Sequence, residues 1–414
     1  MRVTQASEQT QFLAQVNTLE SAVSTTQNQM ASGLAYTEPS QDPAAAGTVD
    51  NYDAALAQSQ QYTKNANSAQ TALNTESNAL TSVQSQLQSL RDLALQANSG
   101  TESSQDLTAI ATQAQQIQNS LLGLANTQDG NGNYIFAGFA TGTQPFTQTS
   151  TGVTYVGDSG QPVIQLSAGN TVATSDNGAT VFNAPTGNGI FTTTAAAGNT
   201  GSGVIGATTV ASTYSGDNYA ITFTSAPTPP STTPSTYNVT DTTTNTAVVT
   251  GGSYTPGGTI DIPKVSGGPT SLQITLSGQP ATGDSFTVAP SPTNGQSIFT
   301  TIQNLVNALQ TDSTSPSTET QLTNSINTAI NNISQSLTQV SNVQASVGGR
   351  INAVTAQLSV NTSQQTQLQT SISQLQSLDY ASATTTLETE NTTLSAAFQA
   401  YTITEGLSLF KYIS

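Results

Sequence analysis

The sequence predicts a mainly α-helical protein with an inserted β domain, in which the N- and C-terminal helices form a coiled-coil or helical bundle. Near both ends of the 414-residue chain, apolar residues recur at spacings of three and four, the seam of a coiled coil. Between about residues 140 and 295 this period disappears, and short apolar segments alternate with Gly/Thr/Pro turns. Such alternation is typical of antiparallel strands. Because helical periodicity stands on both sides, we expect the β region to be an insertion.

The first helix is expected to run to about Ala31. Gly33 follows it, and the next loop contains Pro39 and Pro43, which a helix interior tolerates poorly. Asp42 is well placed to cap the second helix, with Pro43 in its first turn. The sequence therefore predicts a proline-rich hinge between the first two helices.

A second helix, whose apolar seam includes Leu73 and Leu80, is predicted to end near Asn98, and a third continues that seam over residues 107–124. Since a short loop joins them, they should lie antiparallel. The segment from Asp129 to Gly138 contains Asp-Gly and Asn-Gly pairs, which favour positive φ, and predicts a turn leading into an extended strand. The predicted hinge and turn residues are Gly33, Pro39, Asp42, Pro43, Asp129, Gly130, Gly132 and Gly138.

Helical periodicity returns near Ile298, breaks between Thr311 and Ser317, and then continues to Leu375. Asn361 and Gln365 place amides in that seam, where polar residues fix helix register at some loss of stability. The predicted domains are a terminal coiled-coil assembly domain (1–42 and 376–414), a long-helix rod domain (43–139 and 296–375) and a β-rich outer domain (140–295).

The composition argues against most catalytic functions. Histidine, cysteine and tryptophan are absent, which removes the usual general base, the thiol nucleophile and the common zinc ligands. The net charge of −17 would repel nucleic acid and anionic membranes. No apolar run approaches the roughly 20 residues of a membrane span, and the first residues lack the apolar core of a secretory signal. The protein is therefore expected to stay inside the cell or to leave by another route.

The remaining candidate chemical sites have simpler interpretations. Acid pairs such as Glu388 and Glu390 are in no recognisable catalytic arrangement and fit a solvated helix face. Glu76 interrupts an apolar seam, which leaves open a buried functional carboxylate or a role in register and packing. Calcium remains an alternative for the turns of the β region, although no EF-hand spacing is present. We predict no enzyme activity, and no catalytic, cofactor-binding or metal-binding residue.

The apolar stripes of the first and last helices are candidates for an assembly surface. A two-helix unit of this size buries too little surface to be stable alone, so other copies of the chain are plausible partners; an ordinary bundle core is the alternative. The predicted interface residues are Phe12, Val16, Leu19, Val23, Met30, Leu387, Leu394, Phe398, Tyr401, Leu409 and Phe410.

The pattern resembles the flagellar axial proteins, and within them the hook-associated protein 3 family. The resemblance covers about 140 residues at the start and about 115 at the end. Two positions depart from the family pattern, Gln41 and Lys411, where the family usually has an acid. The motifs that carry it are Met30–Leu34, Glu38–Ala45, Arg91–Asn98, Ala125–Gly138, Val347–Asn352 and Leu407–Ile413.

This resemblance implies a structural subunit that joins hook to filament at the extracellular flagellum and leaves by the flagellar type III pathway without a cleaved signal peptide. The partners it implies are copies of itself, hook-associated protein 1 on the hook side, flagellin on the filament side and an export chaperone, with no nucleic acid and no membrane insertion. Two alternatives remain: the filament subunit flagellin, which shares the helix–strand–helix plan, and a surface adhesin acting through the β insert.

Overall fold

The computed structural model describes residues 5–150, 152–183, 191–210, 216–226, 233–290, 297–311 and 316–406. The chain divides into two compact units. Unit 1 combines residues 1–65, 166–168 and 356–414, and unit 2 combines residues 66–165 and 169–355. The long segments of the two units meet at residues 65/66 and 355/356, and both boundaries fall inside helices. The predicted division into three domains remains a prediction.

The described part of the chain begins and ends in helix, as the apolar periodicity predicts. The first helix ends at Ser32, beside the expected Ala31, and the second begins at Pro43. The Oδ1 atom of Asp42 accepts the N–H of Ala45 at 2.9 Å, which confirms the predicted cap. The helices are α1 (Gln5–Ser32), α2 (Pro43–Ala97), α3 (Ser104–Ala125), α4 (Gly178–Phe182), α5 (Ile298–Leu309), α6 (Pro316–Gln376) and α7 (Tyr380–Gly406).

The helical part of unit 2 is organised around the α2 seam and a cluster of aromatic rings. Leu73 and Leu80 are fully buried at the predicted seam positions. The ring of Phe182 lies 5.1 Å from that of Phe146 and 5.9 Å from that of Phe299, measured between centroids. Since these rings come from α4, a strand and α5, the cluster joins the insert to the helices within unit 2.

The central region is antiparallel, as expected, and its strands pair in an order that differs from their order along the chain. One sheet has the order β5-β12-β7-β8-β9, a second has β10-β11-β6, and β1–β2 and β3–β4 form separate pairs. The strands are β1 (Phe146–Thr149), β2 (Gly152–Tyr155), β3 (Val163–Ser167), β4 (Asn170–Ala173), β5 (Phe191–Ala195), β6 (Val204–Val210), β7 (Tyr219–Ser225), β8 (Ser235–Asp241), β9 (Thr246–Tyr254), β10 (Thr259–Pro263), β11 (Thr270–Ser277) and β12 (Ser285–Pro290).

The two larger sheets share one hydrophobic core. Tyr219, Phe223 and Phe286 enter it from the five-stranded sheet, whereas Ile262 and Ile274 enter it from the three-stranded sheet. Along β8, buried and partly exposed residues alternate without interruption, which is the period of a strand with one buried face. This arrangement is a β-sandwich.

One sequence prediction in this region is wrong. The segment from Asp129 to Gly138 does not lead directly into a strand: Tyr134 forms only an isolated bridge with Gln128, and turns follow. The first strand begins at Phe146. Phe136 is fully buried against the Phe182 ring, so packing holds this backbone in a turn where its β propensity favours extension.

Within the described ranges, no helix has both the length and the apolar character that a membrane crossing requires. The same ranges contain no group of three or more acidic side chains close enough to hold a metal ion.

Candidate assembly site

The terminal helices α1 and α7 pack together within unit 1. The ring of Phe12 stacks on that of Tyr401, with centroids 4.0 Å apart and planes 10° apart. It also meets the ring of Phe398 edge-on at 6.2 Å. Aromatic pairs of this kind contribute ~0.5–1.5 kcal/mol beyond the apolar area they bury. The two ends of the chain are thus joined by rings that the sequence assigned to the assembly stripe.

The predicted interface residues differ in burial. Val16 and Val23 are buried, whereas Phe398 is 44% exposed. Leu409 and Phe410 lie outside the described residues. The half-buried members are Phe12, Leu19, Met30, Leu387, Leu394 and Tyr401.

Other large apolar side chains of the pair are left exposed, and the sequence stripe does not include them. Leu13 is 53% exposed on α1, and Ile403 is 64% exposed on α7. Each lies next to, or two positions from, a predicted interface residue. An apolar residue one or two positions outside a heptad seam is a signal that could have found them.

The chain segments that flank α1 and α7 are held together by backbone hydrogen bonds. The N–H of Ala35 donates to the carbonyl of Gln376 at 2.7 Å, and the N–H of Leu378 donates to the carbonyl of Gly33 at 3.0 Å. Gly33 has φ of +73°, a left-handed conformation that favours glycine. A side chain there would also approach the hydroxyl of Tyr380, since a Cβ would lie 3.2 Å from it.

A polar contact adds to the apolar ones along the pair. The hydroxyl of Thr26 donates to the Oε2 atom of Glu390 at 2.9 Å, and Thr26 itself is buried. Glu390 therefore accepts a specific hydrogen bond, whereas the sequence predicted only an acid on a solvated helix face.

The proline-rich hinge is ordered by its own side chains. Gln41, one of the two departures from the family pattern, accepts the N–H of Thr37 with its Oε1 atom at 2.8 Å. Pro39 lies between them in an exposed turn. Gln41 therefore supplies the acceptor that closes this turn.

The second predicted turn is organised by Asp129. Its Oδ1 atom accepts the N–H groups of Asn131 at 2.8 Å and Asn133 at 2.9 Å. Gly132 has φ of +83°, as its Asn-Gly pair predicts, and Gly138 has φ of +71°. Gly130, in the Asp-Gly pair, has no left-handed φ, so the prediction is wrong there.

The amides that the sequence placed in the α6 seam are hydrogen-bonded within unit 1. The Nδ2 atom of Asn361, a buried residue, donates to the carbonyl of Leu166 at 3.2 Å. The Nε2 atom of Gln365 donates to the hydroxyl of Thr63 at 2.8 Å. Asn361 therefore binds a carbonyl of strand β3, a partner that the heptad pattern does not reveal. The predicted role of Asn361 and Gln365 in fixing register stays a prediction.

A buried charged cluster lies in unit 2, around Glu76. Asp176 donates its backbone N–H to the Oε1 atom of Glu76 at 2.9 Å, and its carboxylate forms an ion pair with Arg350. Burial, and after it the negative charge of Asp176, raises the pKa of Glu76 to about 8. The interrupted apolar seam pointed to Glu76, but its partners could not be deduced because they lie far along the chain.

Comparisons with known proteins agree with this architecture. Residues 3–141 match the family model described as the bacterial flagellin N-terminal helical region. Over 162 residues the chain is 35% identical to flagellar hook-associated protein 3 of Salmonella typhimurium, an alignment that covers 39% of this chain and 50% of that protein. The chain spans about half the length of the curated relatives it matches.

Solved structures match over more of their length. The crystal structure of Xanthomonas campestris FlgL is similar with 30% identity and a TM-score of 0.68, covering 78% of this chain and 99% of that one. The structure of hook-associated protein 3 from Legionella pneumophila has 27% identity and a TM-score of 0.71, covering 79% and 98%.

Paired terminal helices, long internal helices and an inserted β domain define the class of flagellin-like proteins of the bacterial flagellum. Given the identity and coverage shared with the Xanthomonas protein, this chain belongs to the FlgL family, that of flagellar hook-associated protein 3.

Proposed function

We propose that this chain is a structural, non-catalytic subunit of the bacterial flagellum that joins the hook to the filament. Family membership supports this role, because the curated relatives are named flagellar hook-associated protein 3. A similar structure from Legionella pneumophila is described as the flagellar junction protein FlgL. The proposed location is extracellular, at the hook–filament junction.

The observation that carries the proposal is the apolar surface left on the terminal helix pair. Leu13, Phe398 and Ile403 are each more than two-fifths exposed in the single chain. Burying the exposed part of one such side chain against a neighbouring subunit contributes on the order of 1 kcal/mol. Copies of this chain are therefore the proposed first partner, with hook-associated protein 1 below and flagellin above.

The composition supports export of an unfolded chain. The sequence has no cysteine, so no disulfide has to form or be broken on the way. We propose passage through the flagellar type III pathway with the help of an export chaperone, followed by ordering of α1 and α7 during assembly. Residues 1–42 and 376–414 are the proposed assembly domain, residues 43–139 and 296–375 the rod, and residues 140–295 the outer domain.

A deletion strain tests the role directly. Loss of this chain is expected to leave bare hooks in electron micrographs while flagellin is shed unpolymerised into the medium. Normal filaments in the deletion strain would refute the proposal. Loss of the filament protein itself would identify the chain as a flagellin, and loss of surface attachment with motility intact would favour the adhesin alternative.

A point variant in the same strain tests the assembly surface. Leu13→Gln is expected to restore few filaments, although the chain is still secreted, because an exposed apolar contact is lost. Val265→Gln in the β domain is the matched control, since Val265 is 60% exposed and lies outside the proposed surface. Equal complementation by both variants would contradict assembly through α1 and α7.

A further inference from the structure

The carboxyl group of Glu76 is buried in an incomplete hydrogen-bonding environment. Its side chain lies in the α2 seam with Leu73 and Leu80, and all three have 0% exposure. Its Oε1 atom accepts the backbone N–H of Asp176. Its Oε2 atom has no hydrogen-bond partner. An ionised carboxylate would leave a charged oxygen buried and unsatisfied, which costs several kcal/mol.

The charges around Glu76 do not balance if it is ionised. Asp176 faces it from the segment between β4 and α4, and Arg350 faces it from α6. On α2 itself the nearest charged side chains, Lys64 and Arg91, are about three turns away or more. Two carboxylates and one guanidinium give a buried net charge of about −1, whereas a protonated Glu76 gives about zero.

Two of the three guanidinium nitrogens of Arg350 bind other groups, whereas its buried Nε atom has no hydrogen-bond partner. The guanidinium forms the ion pair with Asp176, and its Nη1 atom donates to the carbonyl of Ala173 at 3.3 Å. The second oxygen of Asp176 accepts the Nε2 atom of Gln161 at 2.6 Å. Arg350 therefore holds the β4–α4 segment. Its positive charge favours an ionised Glu76, but burial and the charge of Asp176 outweigh it, and Oε2 of Glu76 makes no hydrogen bond to the guanidinium.

We propose that Glu76 is a proton-binding site, and that its bound proton fastens the segment from residue 173 to residue 182 to helices α2 and α6. A proton on Oε2 removes the buried charge and turns that oxygen into a donor toward the carboxylate of Asp176. Its release places two carboxylates side by side in a dry seam, where like charges repel strongly.

The effect reaches α4 through neighbouring residues. Asn177 directly follows Asp176, and its Oδ1 atom caps α4 by accepting the N–H of Thr180 at 2.9 Å. At the end of α4, Phe182 enters the aromatic cluster of unit 2. Movement of Asp176 away from Glu76 therefore pulls on the cap of α4 and loosens the helix.

The pH range in which the proton is released follows from the pKa values of Glu76 in the folded and unfolded states. Burial raises the pKa of Glu76 from 4.5 to about 8. Because the folded pKa is the higher one, the stabilisation is fully present below about pH 4.5 and is lost as the pH rises through about 8. Mildly alkaline medium is therefore the expected release condition.

The test uses the full chain and two readouts. In the first, glutamate carboxyl carbons are labelled and followed by NMR between about pH 5 and pH 9. One resonance is expected to titrate near 8 and to be missing in Glu76→Gln. A Glu76 resonance with an ordinary pKa would overturn the proposal.

The second readout is hydrogen exchange by mass spectrometry, corrected for the intrinsic rate. Protection of residues 173–182 is expected to fall about tenfold or more from pH 6 to pH 9 in the wild type. In Glu76→Gln, the protection of residues 173–182 should fall by no more than about twofold over the same pH range. Glu319→Gln, an exposed acid on α6, is the matched control and should behave as the wild type.

Strands β7 and β8 serve as an internal reference, so the wild-type result stands even if the Glu76 variant folds poorly. Unchanged protection of residues 173–182 at pH 9 would refute the proton-dependent attachment. An equal loss of protection in strands β7 and β8 would also refute it.

Discussion

Replacing Gly33 by alanine tests the connection between the terminal helices. At its φ of +73°, an L-residue costs ~1–2 kcal/mol relative to glycine. Alanine also restricts the unfolded chain, which offsets ~0.4–1 kcal/mol of that loss. The contact with the Tyr380 hydroxyl adds little, because a side-chain end can shift. The net expectation is a destabilisation of about 1 kcal/mol, or about a fivefold larger opening equilibrium.

Hydrogen exchange on the full chain measures this opening directly. The amides of Ala35 and Leu378 close the connection, so peptides containing them should exchange about fivefold faster in Gly33→Ala. Gly47→Ala is the control of opposite sign. Gly47 lies inside α2 with no atom within 4 Å of an added Cβ, so alanine should stabilise that helix by ~0.5–1 kcal/mol.

The reasoning is refuted if Gly33→Ala leaves exchange unchanged, or if both substitutions shift exchange in the same direction. Adding Tyr380→Phe separates the two causes, since it removes the oxygen that the new methyl group would approach. We expect most of the effect to persist in the double variant; full recovery would mean that crowding, and not the backbone conformation, sets the cost.

Three further changes have defined outcomes. Asn361→Ala leaves the carbonyl of Leu166 without its donor and should lower stability in urea by ~1–3 kcal/mol; no loss would mean that water replaces the amide. Phe182→Leu removes ring contacts and should lower the free energy of unfolding by ~1–3 kcal/mol in thermal melts, and an unchanged melt would contradict the aromatic cluster. Backbone N–H donors, led by that of Phe139, hold the pKa of Asp158 below its ordinary value. The stability that this carboxylate contributes is therefore present near neutrality and lost as the pH falls. Asp158→Asn should flatten the acid side of the profile of stability against pH, and an unchanged profile would reject that role.

The helical parts of the fold were predictable because their signals are local. Heptad spacing and caps act over a few residues, so the end of α1 near Ala31 and the Asp42 cap could be read directly. The insertion was predictable from the loss of that period. The pairing of β6 with β11 was not, because it joins strands far apart in sequence and no local pattern encodes it.

The candidate site was predictable in its apolar half and not in its polar half. Val16 and Val23 are buried in the helix pair because the apolar face of an amphipathic helix packs against a partner. The partners of Asn361 and Glu76 are backbone groups of Leu166 and Asp176, and any residue type supplies a backbone N–H or carbonyl. The turn at Phe136 was mistaken for a strand for a related reason, since burial against rings from distant segments outweighed its local propensity.

The bond between Thr26 and Glu390 spans 364 positions of sequence. At a ribosomal rate of about 5–20 residues per second, α1 emerges roughly 20–70 s before its partner helix exists. For that whole interval its apolar face has no native companion within the same molecule. Any cellular factor that shields this face has to act from synthesis onward, and under the proposed function its work ends only when α1 and α7 order during assembly.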